Sequence, residues 1–568
     1  MRISCALFFF IVLVSANGLR FLRRRSQNKT LQIQTQNGIV QGIEERSGYG
    51  RTFYSFMGIP FARPPIGNLR FRAPEPPNPW RGILDATQEA SCCMGLVPEY
   101  VNAFNLSSDG SEDCLYLNIY TPKNQNIETF NPLPVYVFIY GGGFMIGCSN
   151  RVLYGPEHFM ERDVILVTMN YRLGILGFMS TEDLECPGNW GIKDQLASLK
   201  WVNENIKNFG GDNRKITLGG HSAGAASANI LLLSPRASGL FQGIIMQSGT
   251  ILCPWSNQTK SREIAFRTGL ALGIETQNSK ELVSELRKVD VKELTTRMIP
   301  VLLLELMVMI KGGFPFTPVV EPNHKDAVIT NDSYDEMKKG NFPKMPVLAG
   351  VTEFEFGLFQ GTVQVFYPYL VTLLNVTPGF AVKNIKSVAD RYIVGKKIQR
   401  YFTHKDSYEL SNMRDLLEYL GEDFFNYPVQ KTLSFISRKS PVYFYVFSYE
   451  GPSSQKALAE LIKLKERKIK GACHSEEIYY LFNGSVSSNS DKRDAMDTQV
   501  SRNMINIWSN FITYGNPSTP ELENISWPTV TDDYFPYVRI GYNLKLIHES
   551  YNKKNYEFWE NIYKTFSN

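Results

Sequence analysis

Short apolar runs alternate along this chain with amphipathic stretches, and each kind of segment predicts a different element. Near-continuous runs rich in β-branched residues are typical of strands that helices cover on both faces. Four such runs, at residues 135–140, 164–169, 244–247 and 347–350, predict central strands, and residues 196–202 predict a crossover helix. Residues 38–42 and 52–56 predict antiparallel strands before the parallel part begins. The pattern indicates an α/β fold with a large, mixed, mostly parallel sheet between helices and a small antiparallel N-terminal part.

The run from Gly220 to Gly224 interrupts this alternation, with a serine, Ser222, at its centre. A β-branched stretch, residues 215–218, precedes it, and a helix-compatible run, residues 225–233, follows. A sharp turn between a strand and a helix, with small residues at both ends, projects the central hydroxyl from the sheet. The pattern predicts a nucleophilic serine, provided that a base, an acid and oxyanion donors lie nearby.

The length alone suggests more than one domain, but the lack of a dividing linker favours one large catalytic domain with insertions. The chain has 568 residues, 43% hydrophobic and 20% charged, with no linker of biased composition and no internal repeat. We expect a single domain over residues 30–568. The formal net charge of +5 is small for this length and its basic residues are dispersed, which argues against a nucleic-acid partner.

The N-terminus predicts export. Arg2, an apolar core at residues 3–14 and the small residues Ser15 and Ala16 are typical of a signal peptide, residues 1–16, and the basic residues up to about residue 25 leave open a short propeptide. The apolar core is too short to span a membrane, no later segment qualifies, and we expect a secreted protein without a transmembrane anchor.

Cysteines and sequons agree with export. Cys5 lies in the predicted signal peptide, and the seven remaining cysteines leave at least one unpaired within the chain. Sequons make seven asparagines candidate glycosylation sites: Asn28, Asn105, Asn257, Asn331, Asn375, Asn483 and Asn524.

A triple glycine directly follows the strand predicted at residues 135–140. Consecutive glycines leave their amides open to a developing oxyanion, so Gly142 and Gly143, with the amide of Ala223 after the serine, are candidate oxyanion donors.

A serine needs a histidine base that a carboxylate orients. Six histidines are available: His158, His221, His324, His404, His474 and His548. His221 is adjacent to Ser222, where side chains diverge, so it can influence the site but should not be the base. In the order serine, acid, histidine the base lies C-terminal, and His474, in a polar loop before an apolar helical run, is the leading candidate.

Beyond these local patterns, the chain resembles the type-B carboxylesterase and cholinesterase family of the α/β-hydrolase superfamily. The resemblance rests on two long motifs, residues 209–224 around the serine and residues 112–119, and on residues 56–62, 170–174 and 188–195. It extends from about Gly38 to Trp559, which is essentially the whole mature chain.

The resemblance implies a triad of Ser222, a glutamate and His474. Residues 350–355 place Glu355 at the acid position, although Phe356 stands where the family usually has glycine, so Glu353 stays a weaker alternative. The loop 471–477 is similar to the family's histidine loop and makes Glu477 a partner behind the triad. Cys93 and Cys114 match a family disulfide, with Cys92 a competitor, and the pairing of Cys148, Cys186, Cys253 and Cys473 stays open.

Departures from the cholinesterase pattern concern the substrate. Phe104 replaces a tryptophan that holds quaternary ammonium, and His221 replaces a glutamate, which together disfavour choline esters. Gly312 stands where acetyl-selective members carry a bulky aromatic, so we expect a roomier acyl pocket. Its predicted wall residues are Trp255, Phe314, Leu358 and Phe359.

The sequence thus predicts a serine carboxylesterase that acts on a small-molecule ester by two-step acyl transfer, without a metal or other cofactor. Two alternatives stay open: a recognition or adhesion protein of the same fold, and a scavenger that is acylated but turns over slowly.

Overall fold

The computed structural model describes residues 29–95, 110–122, 131–296, 314–381, 385, 387–452, 454, 470–484, 495–518 and 526–566. Its buried hydrophobic side chains form one cluster that runs from Ile33 near the start to Ile562 near the end. The predicted signal peptide lies outside the described residues.

A single sheet of thirteen strands forms the centre of the described structure. The strands are β1 (Thr30–Gln34), β2 (Ile39–Arg46), β3 (Thr52–Pro60), β4 (Ile83–Asp85), β5 (Tyr116–Thr121), β6 (Leu133–Ile139), β7 (Ile165–Met169), β8 (Gly211–His221), β9 (Gly243–Gln247), β10 (Val347–Thr352), β11 (Val442–Phe447), β12 (Tyr537–Ile540) and β13 (Leu544–Ile547).

Strand order explains where the functional residues meet. The path β1-β2-β3-β5-β7-β6-β8-β9-β10-β11-β12-β13 is parallel from β7 to β12, and β4 pairs with β2. The N-terminal strands β1, β2, β3 and β5 are antiparallel, as predicted, and continue the same sheet. Because the carboxyl ends of parallel strands share one edge, the residues after β6, β8, β9 and β10 lie together there.

Helices cover this sheet. In chain order they are α1 (Arg151–Tyr154), α2 (Gly174–Phe178), α3 (Trp190–Asn205), α4 (Ala223–Leu233), α5 (Ser261–Ala271), α6 (Ser279–Lys288), α7 (Val291–Thr296), α8 (Ser333–Lys339), α9 (Gln360–Val376), α10 (Val388–Thr403), α11 (Met413–Gly421), α12 (Tyr427–Ser437), α13 (Ile478–Leu481), α14 (Ala495–Tyr514) and α15 (Lys553–Phe566). A π-helical turn, Glu422–Asn426, joins α11 to α12. Within the described ranges no helix is both long and apolar enough to cross a bilayer.

The predicted central strands are confirmed. The apolar runs at residues 135–140, 164–169, 244–247 and 347–350 coincide with β6, β7, β9 and β10, and every residue of these four strands is buried. The predicted crossover helix at residues 196–202 lies inside α3. Burial on both faces is the physical reason that hydrophobicity was continuous rather than alternating there.

Two disulfides cross-link segments of the chain beside the carboxyl end of the sheet. Cys93 pairs with Cys114, the pairing that the resemblance implies, and Cys92 pairs with Cys148, which the sequence left open. Cys186, Cys253 and Cys473 are buried, and Cys186 and Cys253 form no disulfide with another described residue. Burial raises the pKa of the Cys186 and Cys253 thiols to about 12, so these two are unreactive at neutral pH.

Four of the candidate glycosylation asparagines are described. Asn331 is exposed, and Asn257 and Asn483 are half-buried. Asn375 donates from Nδ2 to the Tyr408 carbonyl at 3.0 Å, a bond that a glycan on that nitrogen would disturb. Asn28, Asn105 and Asn524 lie outside the described residues.

Candidate active site

Ser222 occupies the turn between β8 and α4 in a backbone conformation that few residues other than glycine adopt, with φ +55° and ψ −120°. The flanking glycines have a steric cause. A Cβ at Gly220 would lie 2.3 Å from the Gly224 backbone, and one at Gly224 would lie 2.0 Å from the Ile139 carbonyl oxygen. Strand and helix can therefore meet this closely only if both residues are glycine, and the turn that results places Ser222 above β8.

Glu355 lies just after β10 and is held on both carboxylate oxygens. Its Oε2 is 2.7 Å from His474 Nδ1, and its Oε1 accepts bonds from Ser248 Oγ at 2.6 Å and from the Thr352 amide at 2.7 Å. The weaker alternative, Glu353, is exposed. The structure thus brings Glu355 to the histidine and leaves Glu353 outside the site.

His474 is buried in the loop before α13. Because Glu355 occupies Nδ1, Nε2 is the ring nitrogen left for proton transfer. The ring centre lies 4.6 Å from that of Phe425 and 4.7 Å from that of His221, the residue before Ser222. No hydrogen bond joins Ser222 to His474 within the described residues, and hydrogen bonds between catalytic groups are commonly long or absent without substrate.

Gly142 and Gly143 follow β6 with φ angles of +121° and +61°. A Cβ at Gly142 would lie 2.0 Å from the Ile146 carbonyl oxygen, which excludes every other residue. Among the described residues these two amides donate to no carbonyl, and the Ala223 amide begins α4, where helix amides lack an intrahelical acceptor. These three amides, none of which has a carbonyl acceptor among the described residues, are candidate donors to a developing negative charge.

Substitution of Gly143 by alanine should lower kcat about 10²-fold while the protein stays folded, because the new Cβ would lie 2.9 Å from Phe314 Cε2 and force one oxyanion donor out of line. Gly239→Ala is the matched control, since Gly239 also has a positive φ, +79°, but nothing within 4 Å of a Cβ. Steady-state hydrolysis of an aryl ester by both variants measures the difference. Equal losses in the two variants would rule out Gly143 as an oxyanion donor.

Glu477, which the resemblance makes a partner behind the triad, is fully buried and close enough to Glu355 to sense its charge. Its Oε1 accepts from Gln247 Nε2 at 3.4 Å. Burial, together with the negative charge of Glu355, raises the pKa of Glu477 to about 8. The Glu477 carboxyl is therefore mainly neutral at pH 7 and adds little negative charge near Glu355.

His221 is fully buried, and its Nε2 has no hydrogen-bond partner among the described residues. Burial, and to a lesser degree the neighbouring His474, lowers the pKa of His221 well below its usual value. The side chain is therefore a neutral imidazole at neutral pH, and it cannot replace the anionic glutamate of a cholinesterase site.

The described wall residues around this turn are mostly aromatic. Trp255 is buried and packs near Phe144 and Phe425, Phe314 covers Gly143, and Phe359 lies 6.4 Å from the His474 ring. Leu358 is half-buried next to Phe359. Phe104 and Gly312, both predicted pocket residues, lie outside the described residues.

Sequence reasoning missed two residues that contact the candidate triad. Ser248, with φ +51°, follows β9 and donates to Glu355, and Phe425 on the π-helical turn packs on His474. The only local signal for Ser248 is a serine and glycine after a predicted strand, and the only one for Phe425 is a pair of phenylalanines. Neither signal identifies a partner far away in the chain.

The described part of the chain holds no group of three or more His, Cys, Asp or Glu side chains placed to bind a metal ion. The chemistry that the arrangement supports is nucleophilic acyl transfer: a strained serine, a histidine fixed by a carboxylate, and free amides at one edge of the sheet.

Comparisons with known proteins agree with this geometry. A model of the carboxylesterase family matches residues 29–559. Juvenile hormone esterase of Tribolium castaneum is 33% identical over 550 residues, which cover 91% of this chain and 88% of that protein. Acetylcholinesterase of Bungarus fasciatus is 32% identical over 564 residues, which cover 94% of this chain and 86% of that protein.

A solved structure extends the likeness to the fold. The crystal structure of juvenile hormone esterase from Manduca sexta, with OTFP covalently attached, superposes with a TM-score of 0.83 at 28% sequence identity and covers 94% of this chain and 100% of that one. The predicted α/β-hydrolase fold is confirmed by this likeness and by the mixed, mostly parallel sheet.

Proposed function

The chain belongs to the carboxylesterase family and is a carboxylic ester hydrolase, and we propose that it works through an acyl-enzyme on Ser222 with Glu355 and His474 as acid and base. The observation that carries this proposal is the 2.7 Å contact between His474 Nδ1 and Glu355 Oε2, at the sheet edge where Ser222 projects. A carboxylate at Nδ1 fixes the tautomer that leaves Nε2 free to accept the serine proton.

In the first half of the reaction His474 Nε2 takes the Ser222 proton while Oγ attacks the ester carbonyl carbon. The tetrahedral oxyanion accepts hydrogen bonds from the Gly142, Gly143 and Ala223 amides. The carbon–oxygen bond to the alcohol then breaks, and His474 gives its proton to the leaving alkoxide.

The second half repeats these steps with water. His474 takes a proton from the water as it attacks the acyl carbon, the same amides hold the oxyanion, and Ser222 leaves with the proton returned by His474. A carboxylic acid is released and the enzyme is restored, so no cofactor enters the balance.

The proposed substrates are uncharged esters with a broad or bulky range of acyl groups. Phe314, Phe359, Phe425 and Trp255 give the site apolar walls, and the neutral His221 offers no charge to a quaternary ammonium. The protein is proposed to be secreted, a proposal supported by two disulfides in the described structure and by the apolar N-terminal sequence.

Steady-state turnover of 4-nitrophenyl acetate, butanoate and octanoate tests the proposed function against its alternatives. We expect sustained turnover of all three esters. A butanoate ester of choline should show a kcat/KM at least about tenfold lower than the uncharged butanoate, because the neutral His221 supplies no negative charge to compensate the buried cation. A burst of one equivalent without turnover would favour a scavenger, and neither burst nor turnover would favour a recognition protein.

A further inference from the structure

The segment Phe314–Glu321 lies against the candidate oxyanion site without forming a helix or a strand. Its first residue, Phe314, has the side chain that lies against Gly143. A Cβ at Gly143 would lie 2.9 Å from Phe314 Cε2 and 3.3 Å from Cζ, so the edge of this ring covers Gly143. The position of Phe314 therefore limits the space next to the carbonyl that Gly143 would bind.

Gln258 holds the N-terminal half of this segment. Its Nε2 donates to the Phe314 carbonyl at 2.9 Å, and its backbone amide donates to the Pro318 carbonyl at 3.1 Å. The side chain is itself fixed, since Oε1 accepts from the amides of Thr259 and Lys260 at 2.9 and 3.0 Å. Gln258 is buried, so water does not compete for these bonds.

Asn189 holds the middle of the segment. Its Nδ2 donates to the Val319 carbonyl at 2.8 Å, and its Oδ1 accepts from the Val319 amide at 2.9 Å. One side-chain amide thus satisfies both backbone groups of Val319, as a neighbouring strand would. Asn189 is fully buried at the residue before α3, so the segment is tied to a long helix.

A buried ion pair holds the end of the segment. Glu321 Oε2 accepts from Lys193 Nζ at 2.5 Å and lies 2.9 Å from His324 Nε2, and its Oε1 accepts from Asn189 Nδ2 at 3.0 Å. Lys193 also donates to the Gly188 carbonyl at 2.8 Å. Burial lowers the pKa of Lys193, against the opposing effect of the Glu321 charge. Removal of either partner would leave a buried charge unpaired.

We propose that Gln258 and the group Asn189, Lys193 and Glu321 form an acyl-specificity clamp: buried side chains that fix the Phe314–Glu321 segment and thereby hold the Phe314 ring over Gly143. They are positioning residues, because they act on the ester only through Phe314. The inference rests on the proposed function, in which Gly143 is an oxyanion donor.

If Gln258 positions Phe314, its substitution should change the selectivity between short and long acyl chains. A purely structural role of Gln258 would not change this selectivity. In Gln258→Met the bond to the Phe314 carbonyl is lost and the ring can move from Gly143. The kcat/KM for 4-nitrophenyl acetate should fall, because a short acyl group needs a small, well-defined acyl site, and the kcat/KM for the octanoate should fall less. The octanoate-to-acetate ratio of kcat/KM should therefore rise about tenfold. Gln258→Glu, which keeps the Oε1 acceptor and puts a carboxylate oxygen in place of the amide donor, is a second variant should the methionine fail to fold.

Two controls isolate the effect. Gln430→Met removes a matched bond, from a buried glutamine Nε2 to the Tyr551 carbonyl at 2.9 Å, and should leave the ratio unchanged. Phe314→Leu should itself raise the ratio, and Gln258→Met added to it should then change the ratio less than twofold, because both substitutions act on the same ring.

An unchanged ratio in Gln258→Met, or additive effects in the double variant, would overturn the clamp while sustained turnover by the wild type leaves the proposed function intact. Absence of turnover by the wild type with all three nitrophenyl esters would instead contradict the proposed function.

Discussion

Ser222→Ala should lower kcat for 4-nitrophenyl butanoate about 10⁶-fold and leave the fold intact, because the hydroxyl proposed to form the acyl-enzyme is removed and only the oxyanion amides and binding remain. The side chain is buried, and the geometry of the turn depends on its backbone and on the flanking glycines rather than on the hydroxyl. We expect the thermal midpoint to change little.

Ser509→Ala is the matched control for this variant. Ser509 is as buried as Ser222, at 7% and 8% exposure, and its hydroxyl donates to the Ile505 carbonyl within α14. This variant should keep wild-type turnover. Turnover by Ser222→Ala above a thousandth of the wild-type rate would show that another nucleophile carries the reaction.

Glu355→Gln should lower kcat about 10⁴-fold. The amide keeps the size of the side chain but can present a donor to His474 Nδ1, which favours the wrong tautomer and removes the charge that stabilises the imidazolium. The bonds from Ser248 and Thr352 to Oε1 can persist to the amide oxygen, so the expected loss is chemical rather than structural.

Glu353→Gln supplies the internal comparison for the acid. Glu353 lies two residues earlier and is exposed, so its variant should retain turnover within about twofold. The kcat values of both variants, with their thermal midpoints, decide between the two glutamates. A larger loss of kcat in Glu353→Gln than in Glu355→Gln would assign the role of acid to Glu353.

The central sheet and the candidate nucleophile could be predicted from the sequence because both depend on local patterns. Continuous apolar runs mark strands buried on both faces. Gly220 is required by the contact between β8 and α4, and Gly224 by the contact of α4 with the end of β6. The chain order alone made His474 the leading base candidate, but the assignment of Glu355 needed the family resemblance, because the two residues are 119 positions apart and the fold brings them together.

Other contacts could not be inferred, since they depend on which distant segments the fold brings together. The bond of Ser248 to Glu355 follows from the neighbouring positions of β9 and β10, and the Cys92–Cys148 disulfide joins residues 56 positions apart. Gln258 is one glutamine among many in the sequence, and only its bonds to Phe314 and Pro318 show that it holds a wall of the site.

The covalent step at Ser222 is most directly tested by peptide mass spectrometry after reaction with a fluorophosphonate, whose phosphorus the serine Oγ attacks with loss of fluoride. The mechanism predicts one adduct per chain, on the peptide that carries Ser222, formed as ester turnover disappears and absent in Ser222→Ala. An adduct on another residue, or full loss of turnover without modification of Ser222, would contradict it.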